Sequence, residues 1–389
     1  MTPAARVAAA IVLLDEILEG KPAERVLTSW ARRSRFAGSG DRAAVRDHVF
    51  QALRCRRSYA ALGGAESGRG LMIGALRADG MDPGLHFTGQ GHAPAPLTDI
   101  EVSAGRSPAP GAEALDLPDW LWQRFEASLG DAAGAAAREL QTRAPTMLRA
   151  NTRMNTASKV IEILKEDGVL TCLCEIADTA LVVTEGPRRL AGSCAYREGC
   201  VELQDGSSQA AMVALQVPAG GRILDFCAGG GGKVLALAAR HDAQWFAHDI
   251  DTARTKDLPE RAARAGVEVT ELTRAQVTDA APFDLILCDV PCSGSGTWRR
   301  APEAKWRLTP ERLTELQTIQ ADILDQAAQL VGAQGHIAYT TCSVLSEEND
   351  AQVARFLRKN PGWNVAQEVR WPIGPEGDGF YLAALSQVH

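Results

Sequence analysis

Residues 284–300, DLILCDVPCSGSGTWRR, decide the fold class. The apolar run from Leu285 to Val290 stops at Pro291-Cys292-Ser293 and a Gly/Ser loop, which reads as a buried strand delivering a cysteine to the rim of a sheet. Two other stretches have the same form. Residues 222–227, RILDFC, run into Gly229, Gly230, Gly231 and Gly232, and residues 335–341, GHIAYTT, end at Cys342-Ser343. In an open parallel sheet, ligands bind outside the carboxyl ends of the strands. The glycine loop, the Asp-Val-Pro-Cys loop and the Thr-Thr-Cys loop are therefore expected to converge on one cleft.

From Gln204 to the end, strand and helix text alternates. Residues 207–215, 310–331 and 347–359 read as helices, and residues 363–369 and 379–385 as two strands that can pair antiparallel. This predicts an α/β, doubly wound, Rossmann-like domain over 204–389 with a mixed edge. Upstream, Thr2 and Pro3 read as an N-cap and first helical residue. Val7, Ile11, Leu14 and Leu18 follow at helical spacing, and Gly20 closes the helix. No strand pattern interrupts the first seventy or so residues, so an all-α domain is expected over 1–88. Its crowd of arginines, Arg32, Arg33, Arg35, Arg42, Arg46, Arg54, Arg56 and Arg57, is either a set of solvated helix faces or a phosphate-contacting surface. Residues 89–116, rich in Pro, Gly, Ser and Ala, read as a linker. Two helices and a small α/β module are expected over 117–203.

The length of 389 residues suggests two or three domains, and 46% hydrophobic residues suffice for real cores. A net charge of −7 argues against a wholesale polyanion binder but not against a local basic face. No run of about 18 apolar residues and no signal peptide is visible. With nine cysteines, an odd number, the expected compartment is a reducing cytoplasm and the thiols free. The spacing of Cys172, Cys174, Cys194 and Cys200 fits no standard zinc pattern, so no metal is expected.

Glycines between a strand and a helix let a cofactor approach the backbone and offer amide donors. The run Cys227-Ala228-Gly229-Gly230-Gly231-Gly232-Lys233 is neither a dinucleotide fingerprint nor a P-loop. With Asp249 ending the next strand, where an acid can hold ribose hydroxyls, it suits a nucleoside-type cofactor without a pyrophosphate. Cys292 and Cys342, each at a strand end beside a serine, are the candidate nucleophiles. Cys227 and Cys288 are expected in the core. Trp298-Arg299-Arg300 and Lys305-Trp306-Arg307 mix cations with aromatics, as surfaces that bind unpaired bases do; packed tryptophans with solvated cations are the alternative.

The three loop motifs resemble those of RNA (cytosine-5)-methyltransferases that use S-adenosylmethionine. Tyr196-Arg197-Glu198-Gly199, the stretch 204–209 (QDGSSQ) and the closing 377–382 (GDGFYL) resemble that family too. The helical N-terminus resembles the NusB-like domain of the bacterial 16S rRNA members, the RsmB (Sun/Fmu) type. The resemblance implies a NusB-like RNA-binding domain, a small RNA-binding module and a methyltransferase domain. It implies Cys342 as the nucleophile adding to C6 of cytosine, Cys292 assisting proton removal from C5 and enzyme release, and Asp289 contacting the base. It places residues 227–233, Asp249 and Asp289 around S-adenosylmethionine. The implied partner is RNA, with 16S rRNA as the expected substrate, tRNA or another rRNA as the alternative, and a non-catalytic ribosome-assembly factor as the rival of another class. Where the family commonly has Ala-Pro, this chain has Gly229-Gly230, and Glu271 is the nearest acid before the Asp289 strand.

Overall fold

The computed structural model describes residues 1–388, which divide into two compact units: residues 1–143 together with Trp298–Arg307, and residues 144–297 together with those from Leu308 onward. The stretch read as a linker and the helices that follow it fall in the helical unit, whereas the small α/β module falls in the same unit as the large sheet.

In the helical unit, α1 (Pro3–Leu18) begins at Thr2, whose side chain accepts from the Ala5 amide. It packs with α2 (Ala23–Arg33), α3 (Ser39–Arg54), α4 (Arg56–Gly63) and α5 (Gly68–Ala78) around Val7, Leu14, Val49, Leu53 and Leu71. A Cβ at Gly74 would lie 1.9 Å from the Tyr59 carbonyl oxygen, so the glycine lets α5 lie against the α4 backbone. Residues 89–116 carry a short helix, α6 (Asp99–Ser103), whose Glu101 is gripped by Arg69. Helices α7 (Asp119–Leu129) and α8 (Ala133–Leu140) complete this part.

The segment Trp298–Arg307 belongs to this helical unit, which corrects the expectation that it offers a base-stacking surface. Trp298, Arg299 and Lys305 are each 1% exposed. Trp298 stacks on Phe125 at 5.8 Å. Lys305 Nζ donates to the Arg54 carbonyl at 2.8 Å and Trp306 Nε1 to the Leu53 carbonyl at 2.7 Å. These are the last carbonyls of α3, which lack acceptor duty within the helix, and a cation there complements the helix dipole. Asp116, fully buried, accepts from the Arg57 and Ser58 amides, Ser58 Oγ and Gln141. Burial pushes its carboxyl above the ordinary range, against the pull of Lys305, and pushes Lys305 down to about 8.

The second unit contains two sheets. Strands β1 (Met147–Ala150), β2 (Leu170–Leu173), β3 (Ala180–Glu185) and β4 (Val201–Leu203) form an antiparallel sheet in the order β2-β3-β1-β4. The helix Ala157–Glu166 packs on it through Val160 and Leu164. The large sheet comprises β5 (Arg222–Asp225), β6 (Gln244–Ala247), β7 (Thr270–Glu271), β8 (Phe283–Asp289), β9 (Val331–Thr341), β10 (Trp363–Trp371) and β11 (Phe380–Gln387), in the order β10-β11-β9-β8-β5-β6-β7. Strands β5 to β9 are parallel, and β11 runs antiparallel between β9 and β10. Two apolar layers cover its faces, one built around Leu235, Leu285 and Leu382, the other around Ile286, Tyr339 and Leu324. Strand order reverses at β5, so the carboxyl ends of β5 and β8 open a crevice.

Candidate active site

All three expected loops leave the carboxyl ends of adjacent strands. Cys292 follows β8 and Cys342 follows β9, and their sulfurs stand 3.5 Å apart. The hydrogen bond with Cys342, then burial, push the Cys292 thiol well up. Burial also raises the thiols of Cys227 and Cys288; Cys288 is a core cysteine as expected, whereas Cys227 is half-buried at the cleft, which corrects the expectation that it lies in the core. Asp289, the last residue of β8, accepts from Lys233 Nζ at 2.6 Å on one oxygen and from Thr340 Oγ1 at 3.2 Å on the other. Lys233 also lies 5.3 Å above the Phe380 ring. Burial lowers the Lys233 pKa, but the Asp289 carboxylate outweighs it and the net shift is upward, so the ammonium persists.

A buried polar network, missed in the sequence, ties the two cysteine loops together. Glu348, 0% exposed, accepts from the Ser293 amide at 2.8 Å, from Ser293 Oγ and from Gln320 Nε2 at 3.0 Å. Gln320 Nε2 also donates to the Pro291 carbonyl. Ser295 and Ser343 share a hydroxyl bond of 2.9 Å, Asn349 donates to the Ser343 carbonyl, and the Gly296 amide donates to the Cys342 carbonyl. Residues 347–359 read as one helix from sequence, but the helix starts at Asp350, leaving Glu348 and Asn349 to turn inward as loop residues.

Beside these loops, a cleft of about 860 Å³ opens along the ends of β5, β6 and β7. Phe226, Cys227, Asp249, Ile250, Glu271 and Pro291 are among the residues lining it, and Pro291 immediately precedes Cys292. Of the residues expected around the cofactor, Cys227 and Asp249 line the cleft, as does Glu271, whereas Ala228, the four glycines, Lys233 and Asp289 do not line it, contrary to expectation. Asp249, 4% exposed, is already engaged: it accepts from the Gly229 amide at 2.8 Å and the Asp251 amide at 2.9 Å, with Arg254 at 3.2 Å. Gly229 and Gly231 have positive φ, 50° and 80°, which only glycine adopts without strain. An apolar cleft with a few convergent polar groups at a switch point suits a nucleoside-sized ligand.

All nine cysteines are free. Among the described residues no group of three or more His, Cys, Asp or Glu is gathered to hold a metal, and no helix is long and apolar enough to cross a membrane.

The sheet order departs from the dinucleotide-binding order by the antiparallel β11 inserted between β9 and β10. With the cysteine pair beside the crevice, the fold is a Rossmann-like methyltransferase domain preceded by a helical region and a small α/β module. Residues 212–386 match the family described as 16S rRNA methyltransferase RsmB/F, and residues 117–188 match the ferredoxin-like domain of RsmF/B-like methyltransferases. Across these regions the chain is similar to the RsmB/F methyltransferase family. The Ribosomal RNA small subunit methyltransferase B of Vibrio cholerae is 33% identical over 290 residues, 70% of this chain and 65% of that protein. The chain thus matches just under two thirds of that relative's length. Among solved structures, PH0851 aligns with a TM-score of 0.78 at 24% identity, covering 100% of this chain and 99% of that one. NSun6 from Pyrococcus horikoshii, solved with SFG, aligns with a TM-score of 0.61 at 17% identity, covering 70% and 98%.

Proposed function

We propose that this protein methylates C5 of a cytosine in RNA, with 16S rRNA as its substrate and S-adenosylmethionine as the methyl donor. The observation that carries the reading is the pair of thiols 3.5 Å apart beside the Lys233–Asp289 ion pair. C5 of cytosine is a poor nucleophile. Addition of the Cys342 thiolate to C6 breaks the C5–C6 double bond and leaves C5 enamine-like, while Asp289, contacting the base, favours protonation at N3. S-adenosylmethionine would supply the electrophilic methyl group to C5, its S–CH3 bond breaking to leave S-adenosylhomocysteine. With the assistance of Cys292 the C5 proton is then lost to a base, the N3 proton is given back, the C5–C6 double bond re-forms, and Cys342 leaves as thiolate. Two thiols at this separation suit two adjacent ring atoms. The base must be unpaired to reach them.

The relatives' name supports ribosomal RNA as the substrate, and the cytoplasm is where it would be met. A surface of the helical unit supports it independently. Arg25, Arg32 and Arg33 on α2 and Arg35 just beyond it are exposed, with no hydrogen-bond or ion-pair partner among the described residues, and Phe36 beside them is 75% exposed. Cations with an exposed aromatic suit an RNA backbone and an unstacked base. Arg54 instead donates from a buried position to the Arg299 carbonyl, so the arginine crowd divides into structural and exposed members.

The test is transfer of labelled methyl from S-adenosylmethionine to protein-free 16S rRNA, 23S rRNA, tRNA and DNA, followed by identification of the modified base. Label as 5-methylcytosine in 16S rRNA is expected. Label in tRNA or 23S rRNA would keep the chemistry and overturn the substrate. Binding of RNA with no transfer to any of the four would favour an assembly factor.

A further inference from the structure

The small antiparallel sheet grips the glycine loop from behind. In the β1–β4 pairing, Arg149 stands directly opposite Glu202. Both are buried, at 3% and 4% exposure. Arg149 Nη1 donates to the Gly232 carbonyl at 2.8 Å and to Gln204 Oε1 at 2.8 Å. Glu202 holds Arg261 at 2.9 Å and Arg264 at 2.7 Å. Arg261, so held, donates its other terminal nitrogen to the Gly230 carbonyl. Two carbonyls of the loop, those of Gly230 and Gly232, are thus fixed by guanidinium groups anchored on one cross-strand pair, while the Gly229 amide is fixed by Asp249.

A loop of four consecutive glycines has more conformational freedom than any other tetrapeptide and loses more on being ordered. Charge-assisted bonds to its carbonyls offset that loss before a ligand arrives. Side-chain room agrees with this arrangement. A Cβ at Gly230 would stand 2.7 Å from Arg261 Nη1, so the glycine leaves the space that the guanidinium uses. Neither Arg149 nor Glu202 lines the cleft.

We propose that Arg149 and the Glu202–Arg261 pair are positioning residues for the cofactor loop, which makes the small sheet a working part of the methyl-donor site. This rests on the reading that residues 227–233 lie against S-adenosylmethionine. Lysine retains the charge of arginine but not its fork, so Arg261→Lys cannot hold Glu202 and Gly230 together, nor Arg149→Lys hold Gln204 and Gly232.

The experiment is calorimetric titration of the full-length protein with S-adenosylhomocysteine, alongside steady-state kinetics on RNA with S-adenosylmethionine varied. Each lysine variant is expected to weaken binding about tenfold and to raise KM for the methyl donor by about the same factor, with kcat at saturation kept within about twofold. Gly230→Ala, which approaches Arg261 from the loop side without touching the buried pair, is expected to weaken binding similarly. In an Arg261→Ala background it should add less than about twofold, because both changes break one contact. Affinities of both lysine variants equal to wild type would overturn the proposal. So would a joint fall of kcat and affinity that follows the loss of folded protein, and so would full additivity of Gly230→Ala with Arg261→Ala. If wild-type protein itself fails to bind S-adenosylhomocysteine, the cofactor reading falls and the proposal with it, a result distinct from unchanged variants.

Discussion

Replacing each cysteine in turn separates their roles. The bonds that hold the Cys292 loop run through the Ser293 amide and hydroxyl, Ser295 Oγ and the Pro291 carbonyl; the Cys292 thiol itself meets Cys342 at 3.5 Å and the Gly294 backbone. Cys292→Ala therefore removes one heavy atom of packing and should cost about 1 kcal/mol of stability or less. The same holds for Cys342, whose loop is fixed through its own carbonyl and through Ser343. Against that small structural effect stand large chemical ones. Without Cys342 the covalent route closes, and methylation should fall by about 10⁴-fold or more. Without Cys292 the adduct forms and accepts the methyl group, but C5 keeps its proton and the enzyme stays attached, so turnover stops after about one event per enzyme. The assay is a denaturing gel of protein incubated with substrate RNA and S-adenosylmethionine. Cys292→Ala is expected to give a slow-migrating protein–RNA band approaching stoichiometric yield, and Cys342→Ala none. The reverse pattern would assign the attack to Cys292, as in DNA cytosine methylation. Absence of the band in Cys292→Ala, with wild-type protein active on the same RNA, would refute the covalent mechanism.

Lys233→Met removes the cation 2.6 Å from Asp289 and leaves the carboxylate without its counter-charge; single-turnover methylation should fall by about 10²- to 10³-fold, and a change under threefold in rapid-quench measurements would exclude a role for the pair. Lys305, held down to about 8 by burial, binds fewer protons in the folded than in the unfolded chain between about pH 8 and its ordinary pKa near 10.5. Its contribution to stability therefore rises as pH climbs through that window, and the difference in urea midpoint between wild type and Lys305→Met should move in favour of wild type from pH 7.5 to 9.5. Replacing Arg25, Arg32, Arg33 and Arg35 together by glutamine should reduce the slope of log affinity for single-stranded RNA against log salt by about 3, since each lost phosphate contact is worth about 0.7; an unchanged slope would place the RNA elsewhere.

The strands that carry chemistry were legible because each is a short apolar run bounded by Gly, Pro or Ser, and their buried faces allow little else. β8 and β9 begin and end within a few residues of the pattern, and Cys292 and Cys342 meet as their place at strand ends implies. What escaped had no periodicity to read. β7 is two residues long and β4 three, and each exists through pairing with another strand, β7 with β6 and β4 with β1. The segment Trp298–Arg307 looks the same in sequence whether its cations face water or cap a helix. Its partners, Arg54 and Phe125, lie 170 or more residues away and leave no local trace. In the sequence Lys233 reads only as the end of the cofactor loop, since no spacing rule links it to Asp289 across 56 positions.

The buried Glu348 bears on how such a site is kept in order. A carboxylate at 0% exposure is costly unless hydrogen bonds compensate it, and here Ser293 and Gln320 supply three. Gln320 uses the same amide on the Pro291 carbonyl, and Pro291 lines the cleft proposed for the methyl donor while its neighbour Cys292 meets Cys342, the proposed nucleophile. A hydrophobic side chain in place of Glu348 could fill the space, yet it would free the Ser293 amide and hydroxyl and leave Cys292 to a Gly/Ser loop with few other restraints. Covalent catalysis with two thiols tolerates little misplacement, because attack and proton removal act on adjacent atoms of one ring. The polar network therefore makes sense as precision at the cysteine loops, obtained at a cost in burial, whereas the cleft beside it can remain apolar and adaptable.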